Sequence, residues 1–408
     1  MAAPGEPSAP GGDAPGIFVE ALGLRFVRPY EFQFRAHVKA RWRGLSLRAL
    51  FRAEFPAVST EYFEGAVARG AITVDGRPAD ADAPLREGQL VVHSLHRHEP
   101  PVLAGAVTVL GHGDGLVAVT KPASMPVHAS GQYRHNTLIG VLAETRPDLG
   151  PLFPLHRLDK PVSGVVVLAR SSASANSFRK DLEGGLVRKR YIARVRGRLP
   201  RTEMLVDAPL LWDDDARATR ALGTEELEAF ERKAAAAVAA AVAEGRGNHS
   251  AQAGRGRGYP KSAATYFRHL AEGHDGTSLV LCAPVTGRTH QIRAHLAHAG
   301  CPIANDDRYG GSPPPAFGHG GAKEVEAEVR RLHGEVEDAR EHCPHCPGWM
   351  PSYADLAAVT TPIYLHAYRY AGPDWAFESP PPVWADSLLD GATVPDIEVD
   401  TPGKGWKE

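Results

Sequence analysis

Pro154–Arg170 reads PLHRLDKPVSGVVVLAR. Val165–Ala169 is a short apolar, β-branched run of the kind that fills a buried strand. Ahead of it, His156, Arg157, Asp159 and Lys160 crowd around Leu158, followed by Pro161 and Gly164. A charged loop feeding a buried strand is costly unless those charges have partners or a task. Composition alone favours a plainer reading, a surface turn with solvated charges. The rest of the chain decides between the two.

The 408 residues leave room for two or three domains, and 43% hydrophobic with 23% charged residues is ordinary for a globular protein. A net charge of −2 does not announce a nucleic-acid binder, so such a role has to rest on local patches. Four cysteines argue against a disulfide framework and fit a reducing compartment. No apolar run approaches the roughly 20 residues that span a bilayer. The N-terminus shows no apolar signal core, and Glu6, Asp13 and Glu20 fit a transit peptide poorly. The expectation is a soluble intracellular protein in the cytoplasm or nucleus, with an organelle left open.

Residues 1–24 read as a disordered tail, Pro/Gly/Ala-rich up to Gly16. Arg25, Arg28, Arg35, Lys39, Arg41, Arg43, Arg48 and Arg52 follow, opposed only by Glu31. Phe26, Tyr30, Phe32, Phe34, Trp42 and Phe51 stand among them. Basic groups neutralise phosphates and aromatic faces stack on bases, so the cluster reads as an RNA contact, with Arg41, Arg43 and Arg48 its candidates. Each residue alone reads equally well as a solvated basic helix face. Ser46–Phe55 has helical apolar spacing, and Glu61–Arg69 is a second helix stopped by Gly70. Ala71–Val74 is a strand, Asp75-Gly76 a hairpin turn, and Leu85 to Val92 leads into a closing strand. Two helices and a small sheet, punctuated by Gly70, Gly76 and Gly88, resemble the S4 RNA-binding domain. That unit is expected to span residues 25–100.

Past Pro100-Pro101 a second domain is expected over 101–385, with a tail at 386–408. Val107–Leu110 and Leu116–Thr120 flank a Gly113–Gly115 turn as a hairpin. Ser171–Leu186 reads as a helix, Lys189–Gly197 as a strand, Ser262–His269 and Thr277–Ala283 as strands, and Thr289–Ala299 as a helix. Two insertions interrupt this plan, at about 222–260 (Ala-rich, then Gly/Arg-rich) and 311–361 (charged, then HCPHCPG).

Three sets of polar residues sit beside elements that read as core: Arg157 with Asp159; Tyr191; and Arg288, Thr289, His290 and Arg293. No G-x-S-x-G elbow and no phosphate-binding or dinucleotide glycine motif follows a strand. An aspartate assisted by arginines and a tyrosine remains. HRLDKPVSG at 156–164, KRYIARV at 189–195, TGRTHQIRAHL at 286–296, PIANDDRY at 302–309 and Leu365-His366-Ala367 occur in the order seen in RluA-type RNA pseudouridine synthases. HRHEPPV at 96–102 and GPDWAFESPPPVWA further resemble the eukaryotic branch of that family.

The resemblance implies an α+β fold, with a mixed, mainly antiparallel central sheet and flanking helices. It implies a monomer acting on RNA, transfer RNA first and ribosomal RNA second, with no metal and no cofactor. Asp159 takes the place of the catalytic aspartate, which acts on the ribose of a uridine whose base is detached, turned and rejoined through carbon. An ionised carboxylate is needed, and a neighbouring guanidinium can lower a carboxylate pKa by about 1–3. Arg293 matches the arginine that pairs with it. Tyr191 matches the tyrosine that packs on the base and is a candidate for removing its C5 proton. Arg157 matches the residue that fills the vacated place in a duplex from which the target is flipped. Arg288 and Lys189 are further RNA candidates. Taken singly, these residues read as a structural ion pair, a core aromatic and surface charges, while His156, His290 and His295 read as packing or hydrogen-bonding groups. The motif departs from its commonest form at Val162, where Thr often stands.

Two other readings compete. A catalytically silent RNA-binding protein could keep the same scaffold. A zinc-dependent nucleobase deaminase would use His333, Glu335, Cys343 and Cys346, but the spacing is too short for the intervening strand and helix. The same cysteines could form half of a plain zinc site.

Overall fold

The computed structural model describes residues 16–56, 58–243, 258–312 and 360–395, with 327, 331 and 397 as single positions and the backbone alone over 237–243. The Cys343/Cys346 segment, the charged stretch before it and most of the Gly/Arg stretch lie outside the described residues. The chain divides into two compact units, one of Met1–Ala104, Ser130–Asn136 and Gly318–Val359, the other of Gly105–Ala129, Thr137–Phe317 and Thr360–Glu408.

In the first unit, Ser46 and Ser59 open helices Leu47–Glu54 and Thr60–Ala68 by accepting the amide N–H of Ala49 and Tyr62. Leu47, Leu50, Phe51 and Phe63 pack with Ile72 and Val91 into one core. The sheet beside them runs in the order Tyr30–His37, Leu90–Arg97, Ile72–Val74, Arg77–Pro78, and Asp75 and Gly76 make the tight turn with φ of 51° and 76°. Residues 18–24 depart from the expected tail. Phe18–Ala21 and Leu24–Val27 form a hairpin through Leu22-Gly23, and Val102–Leu103 adds a third strand. Leu24 and Phe26 are buried there, so the alternating FVEALGLRFV has a face to hide. The sequence also gave no sign that Ser130–Asn136 leaves the second unit for the first. Buried Glu99 holds it, accepting N–H bonds from Arg134 (2.8 Å), His135 (2.9 Å) and Asn136 (2.9 Å).

The second unit is built on a ten-stranded sheet. Its path is Glu203–Asp207, Ala264–Glu272, Thr277–Pro284, Arg188–Arg196, Leu365–Ala371, Ser163–Ala169, Leu116–Lys121 and Thr108–Gly113; Phe153–Pro154 and Ala376–Glu378 pair off it. Ser163–Ala169 runs parallel to Leu365–Ala371, and the other pairings are antiparallel. Val165–Ala169 is wholly buried, which explains its unbroken apolar run. Gly164 has φ of 113°, and a Cβ there would collide with the backbone of Ala367. Only glycine lets the parallel strands meet at this point.

Helix Val383–Leu389 continues past the expected end at 385, because Ala385 and Leu389 pack on Ile192 and Leu279. Where the second insertion leaves and rejoins, Asn305 acts as a clasp. Its amide donates to Pro362 O (3.0 Å) and its side-chain oxygen accepts from Tyr364 N–H (2.7 Å). Among the described residues, no helix is long and apolar enough to cross a membrane.

Candidate active site

The loop before the Ser163–Ala169 strand is pinned from three directions. Val162 N–H returns to Asp159 O (3.0 Å), closing a tight turn, and Ile363 N–H donates to Pro161 O (3.1 Å). Lys121, fully buried, spends its ammonium on the carbonyls of Pro122 (2.9 Å), Met125 (2.7 Å) and Lys160 (3.3 Å). Burial drags its pKa down to about 7, against a pull upwards from Asp159. Val162 is buried in the apolar wall, where its γ-methyls fill the space that Thr would share with a hydroxyl.

Asp159 projects from this turn into a cavity of about 320 Å³ shared with Arg157, Lys189, Tyr191, Arg288, His290 and Arg293. Its Oδ2 lies 3.2 Å from Arg293 Nη1 and 3.5 Å from His290 Nε2. Arg293 sits in helix Gln291–His298, but its stronger attachment is elsewhere. Nε and Nη2 form a fork on Asp306, at 2.6 and 2.8 Å, and both residues are buried. Burial opposes the charge of Arg293, yet the bonds and field of Asp306, then of Asp159, raise its pKa above the ordinary value.

Gln291 sets the loop before this helix. Its side-chain oxygen accepts from Thr286 Oγ1 (2.7 Å) and Arg288 N–H (3.0 Å), and its NH₂ donates to Ala264 O and Thr265 Oγ1. His290 is left-handed at the helix start, with φ of 54°. That conformation is uncommon for a residue with a Cβ and is held here by side-chain bonds. Tyr309 OH accepts the amide N–H of Thr219 (2.9 Å) and lies 2.8 Å from His290 Nδ1. In the tautomer that carries its hydrogen on Nε2, facing Asp159, the Nδ1 of His290 accepts the phenol proton. Burial lowers the His290 pKa to about 4, so the ring stays neutral at pH 7.

Tyr191 enters from the Arg188–Arg196 strand, where a register shift between Arg190 and Tyr191 re-aims the side chain. Its hydroxyl pairs with Tyr370 OH at 2.6 Å, and burial pushes its pKa up to about 12. The neutral phenol is therefore its resting form and a weak base. His156 stacks on Tyr370 at 4.3 Å and takes the Val167 N–H on Nε2. Lys189 is half-buried, and burial, then Arg288, lowers its pKa to about 8.

Arg157, Asp159, Lys189, Tyr191, Arg288 and Arg293, the candidate catalytic and RNA-contact residues of this unit, thus line one cavity. Arg41, Arg43 and Arg48 belong to the first unit, and two of them are already engaged. Arg41 pairs with Glu54 (2.9 Å), and Arg48 forks onto Asp82 and also meets Glu64. Arg43 is exposed. Among the basic residues between 188 and 201, Arg190 donates to the carbonyl of Ile397, Arg194 pairs with Asp275 and Arg198 with Glu272. Sequence reasoning passed over Asp306, Gln291 and Lys121 and read His290 only as a packing or hydrogen-bonding group. The quoted PIANDDRY held a signal for Asp306: a carboxylate beside Ile303 in an apolar setting needs a cation.

Residues 115–298 match the family model described as RNA pseudouridylate synthase. "RNA pseudouridine synthase 7" of Arabidopsis thaliana is 39% identical over 89% of this chain and 87% of its own length. "tRNA pseudouridine(32) synthase, mitochondrial" of Saccharomyces cerevisiae is 30% identical over 89% of this chain and 77% of its own. "tRNA pseudouridine(31) synthase" of the same yeast is 30% identical over 70% of this chain and 72% of its own. With likeness extending over nearly its whole length and both units, the chain belongs to the RluA-type RNA pseudouridine synthases, isomerases that act on uridines in RNA.

Proposed function

We propose that this chain converts uridine to pseudouridine in transfer RNA, with Asp159 as the group that acts on the ribose. One observation carries the assignment. Arg293 and His290 both approach Oδ2 of Asp159, while Oδ1 takes no bond among the described residues, and Asp159 lines the cavity. A carboxylate held by one oxygen and bare at the other is suited to engage C1′. The C1′–N1 bond breaks, the base turns within the cavity, C1′–C5 forms, and a proton leaves C5 while N1 gains one. Tyr191 serves as the platform for the turning base, because its raised pKa disfavours the phenolate that proton removal requires. Arg157, exposed at the mouth, fills the place of the flipped nucleotide.

Transfer RNA is favoured by the two yeast relatives whose names carry it. Ribosomal RNA is the second reading, after "Ribosomal large subunit pseudouridine synthase C" of Salmonella typhi, which is 31% identical over 56% of this chain. The first unit, with its S4-like order of two helices and a sheet, supplies additional RNA contact, and the protein works as a monomer. The test is tritium release from 5-tritiated uridine in tRNA transcripts. Release by wild type and none by Asp159→Asn is expected; equal slow release by both would sink the assignment.

A further inference from the structure

A second cavity, of about 490 Å³, adjoins the first, and Arg157, Gly287 and Arg288 line both. Its own walls bring in Trp212, Tyr259, Lys261 and Thr289. Its size is within the usual range of small-ligand sites, roughly 300–1,000 Å³. Among the described residues, the lining holds three cationic side chains, Arg157, Lys261 and Arg288, and no carboxylate. Two large aromatic side chains face the same space.

Both aromatics are braced. Trp212, on the strand Leu210–Asp213, donates its indole N–H to Asp214 (2.8 Å) and stands 5.9 Å from the ring of His290. Tyr259 meets Phe230 edge-on at 5.2 Å. Phe230 belongs to helix Thr224–Ala243, the start of the first insertion, so that element supports a wall of this cavity. Lys261 is fixed in the backbone by a reciprocal pair of bonds with Leu210, at 2.8 and 2.9 Å, and its side chain is exposed.

Cations that attract phosphate, beside aromatic faces that accept any base, are the chemistry of single-stranded nucleotide binding. Continuity through Arg157 and Arg288 makes the occupant a neighbour of the target on the same strand. We infer that this second cavity is a subsite for a nucleotide flanking the target uridine, its base stacked on Trp212 and its phosphate met by Lys261 and Arg288. The inference rests on the pseudouridine-synthase reading for the identity of the strand. It adds a place where local sequence or flexibility beside the target is sampled, and gives the insertion helix a purpose.

The test is affinity of the full chain for a labelled uridine heptamer, and for heptamers carrying one abasic ribose at each position in turn. Trp212→Ala is expected to bind the parent heptamer about tenfold more weakly, the scale of one lost base–aromatic stack, and Trp212→Phe to restore most of it. One abasic position should weaken wild type while leaving Trp212→Ala unchanged. Lys261→Ala should reduce the slope of log affinity against log salt by about 0.7, as for one phosphate contact on a single strand. If Trp212→Ala binds as wild type does and responds identically to every abasic position, the subsite is overturned. Tritium release is scored separately: absence of release by wild type on every RNA would count against the isomerase reading, while the abasic profile would still decide the subsite.

Discussion

Arg293 divides itself unequally between two aspartates, giving a two-pronged fork to buried Asp306 and a single 3.2 Å contact to Asp159. Asp306 therefore neutralises and aims the guanidinium, and Asp159 receives a cation already fixed in place. Removing Asp306 strands a buried charge, a defect that costs about 3–5 kcal/mol. Asp306→Ala should lower the urea midpoint accordingly and reduce tritium release at least about tenfold in the protein that remains folded. Arg293→Lys, which cannot make the fork, should lose activity with a smaller change in RNA affinity. Unchanged release by Asp306→Ala would show that Arg293 needs no anchor.

Tyr309 lies 2.8 Å from Nδ1 of His290, where donation from the phenol fixes the ring hydrogen on Nε2. In Tyr309→Phe the amide of Thr219 loses its acceptor, a loss of about 1–3 kcal/mol, and the Nε2–H of His290 is no longer enforced. The first-order rate of release is expected to fall by about tenfold, the worth of one hydrogen bond to a charged group, with RNA affinity unchanged within error. His290→Ala should match it, and the double variant should be no slower than the single ones. Additive losses would mean the two side chains act separately.

Lys189 should make RNA binding pH-dependent in an unusual range. Burial, then Arg288, holds its pKa at about 8, so the folded protein loses this charge between pH 7 and 9. Lys160, also lowered to about 8 by burial, follows the same course. RNA affinity should decline over that interval, and Lys189→Arg should remove most of the decline. The effect on stability has the opposite sign. Between about pH 8 and the ordinary lysine value of about 10.4, the unfolded chain holds the extra proton, so these lysines make stability rise with pH. Affinity constant from pH 7 to 9 would contradict the burial of Lys189.

Gly164→Ala tests the parallel seam. A Cβ would strike Ala367 and the backbone would be strained at a φ of 113°, so a loss of at least about 2 kcal/mol is expected. Circular dichroism during urea unfolding reads this directly. Gly113, whose Cβ would meet open space, is the contrasting position, where alanine should cost little.

Much of this was legible in the sequence because it depends on local pattern. The helix starts at Ser46 and Ser59, the Asp75-Gly76 turn and the buried run Val165–Ala169 follow from caps, turn chemistry and periodicity. Asp159, Tyr191 and Arg293 were found from motifs, and their meeting in one cavity is a matter of strand order across the sheet. That order is non-local: the partner of Ser163–Ala169 arrives some two hundred residues later, at Leu365–Ala371. Asp306 and Tyr309 eluded assignment for the same reason, since their roles exist only once helix Gln291–His298 is docked. The Phe18–Val27 hairpin was missed because a Pro/Gly-rich neighbour lent its composition to the stretch. For the arginines from 41 to 48, a count of charges does not reveal that Arg41 meets Glu54 and Arg48 meets Asp82 and Glu64, while Arg43 stays exposed.

The Asn305 clasp has a consequence for how this chain tolerates growth. By pairing with Pro362 and Tyr364, one amide joins the two ends of the second insertion as a strand partner would. The catalytic scaffold is thereby closed at the neck, whatever the chain does beyond it. Loop-closure entropy rises by only about 0.6 kcal/mol for each doubling of length. A longer intervening stretch therefore asks little of the catalytic scaffold, whose neck one side chain already holds shut.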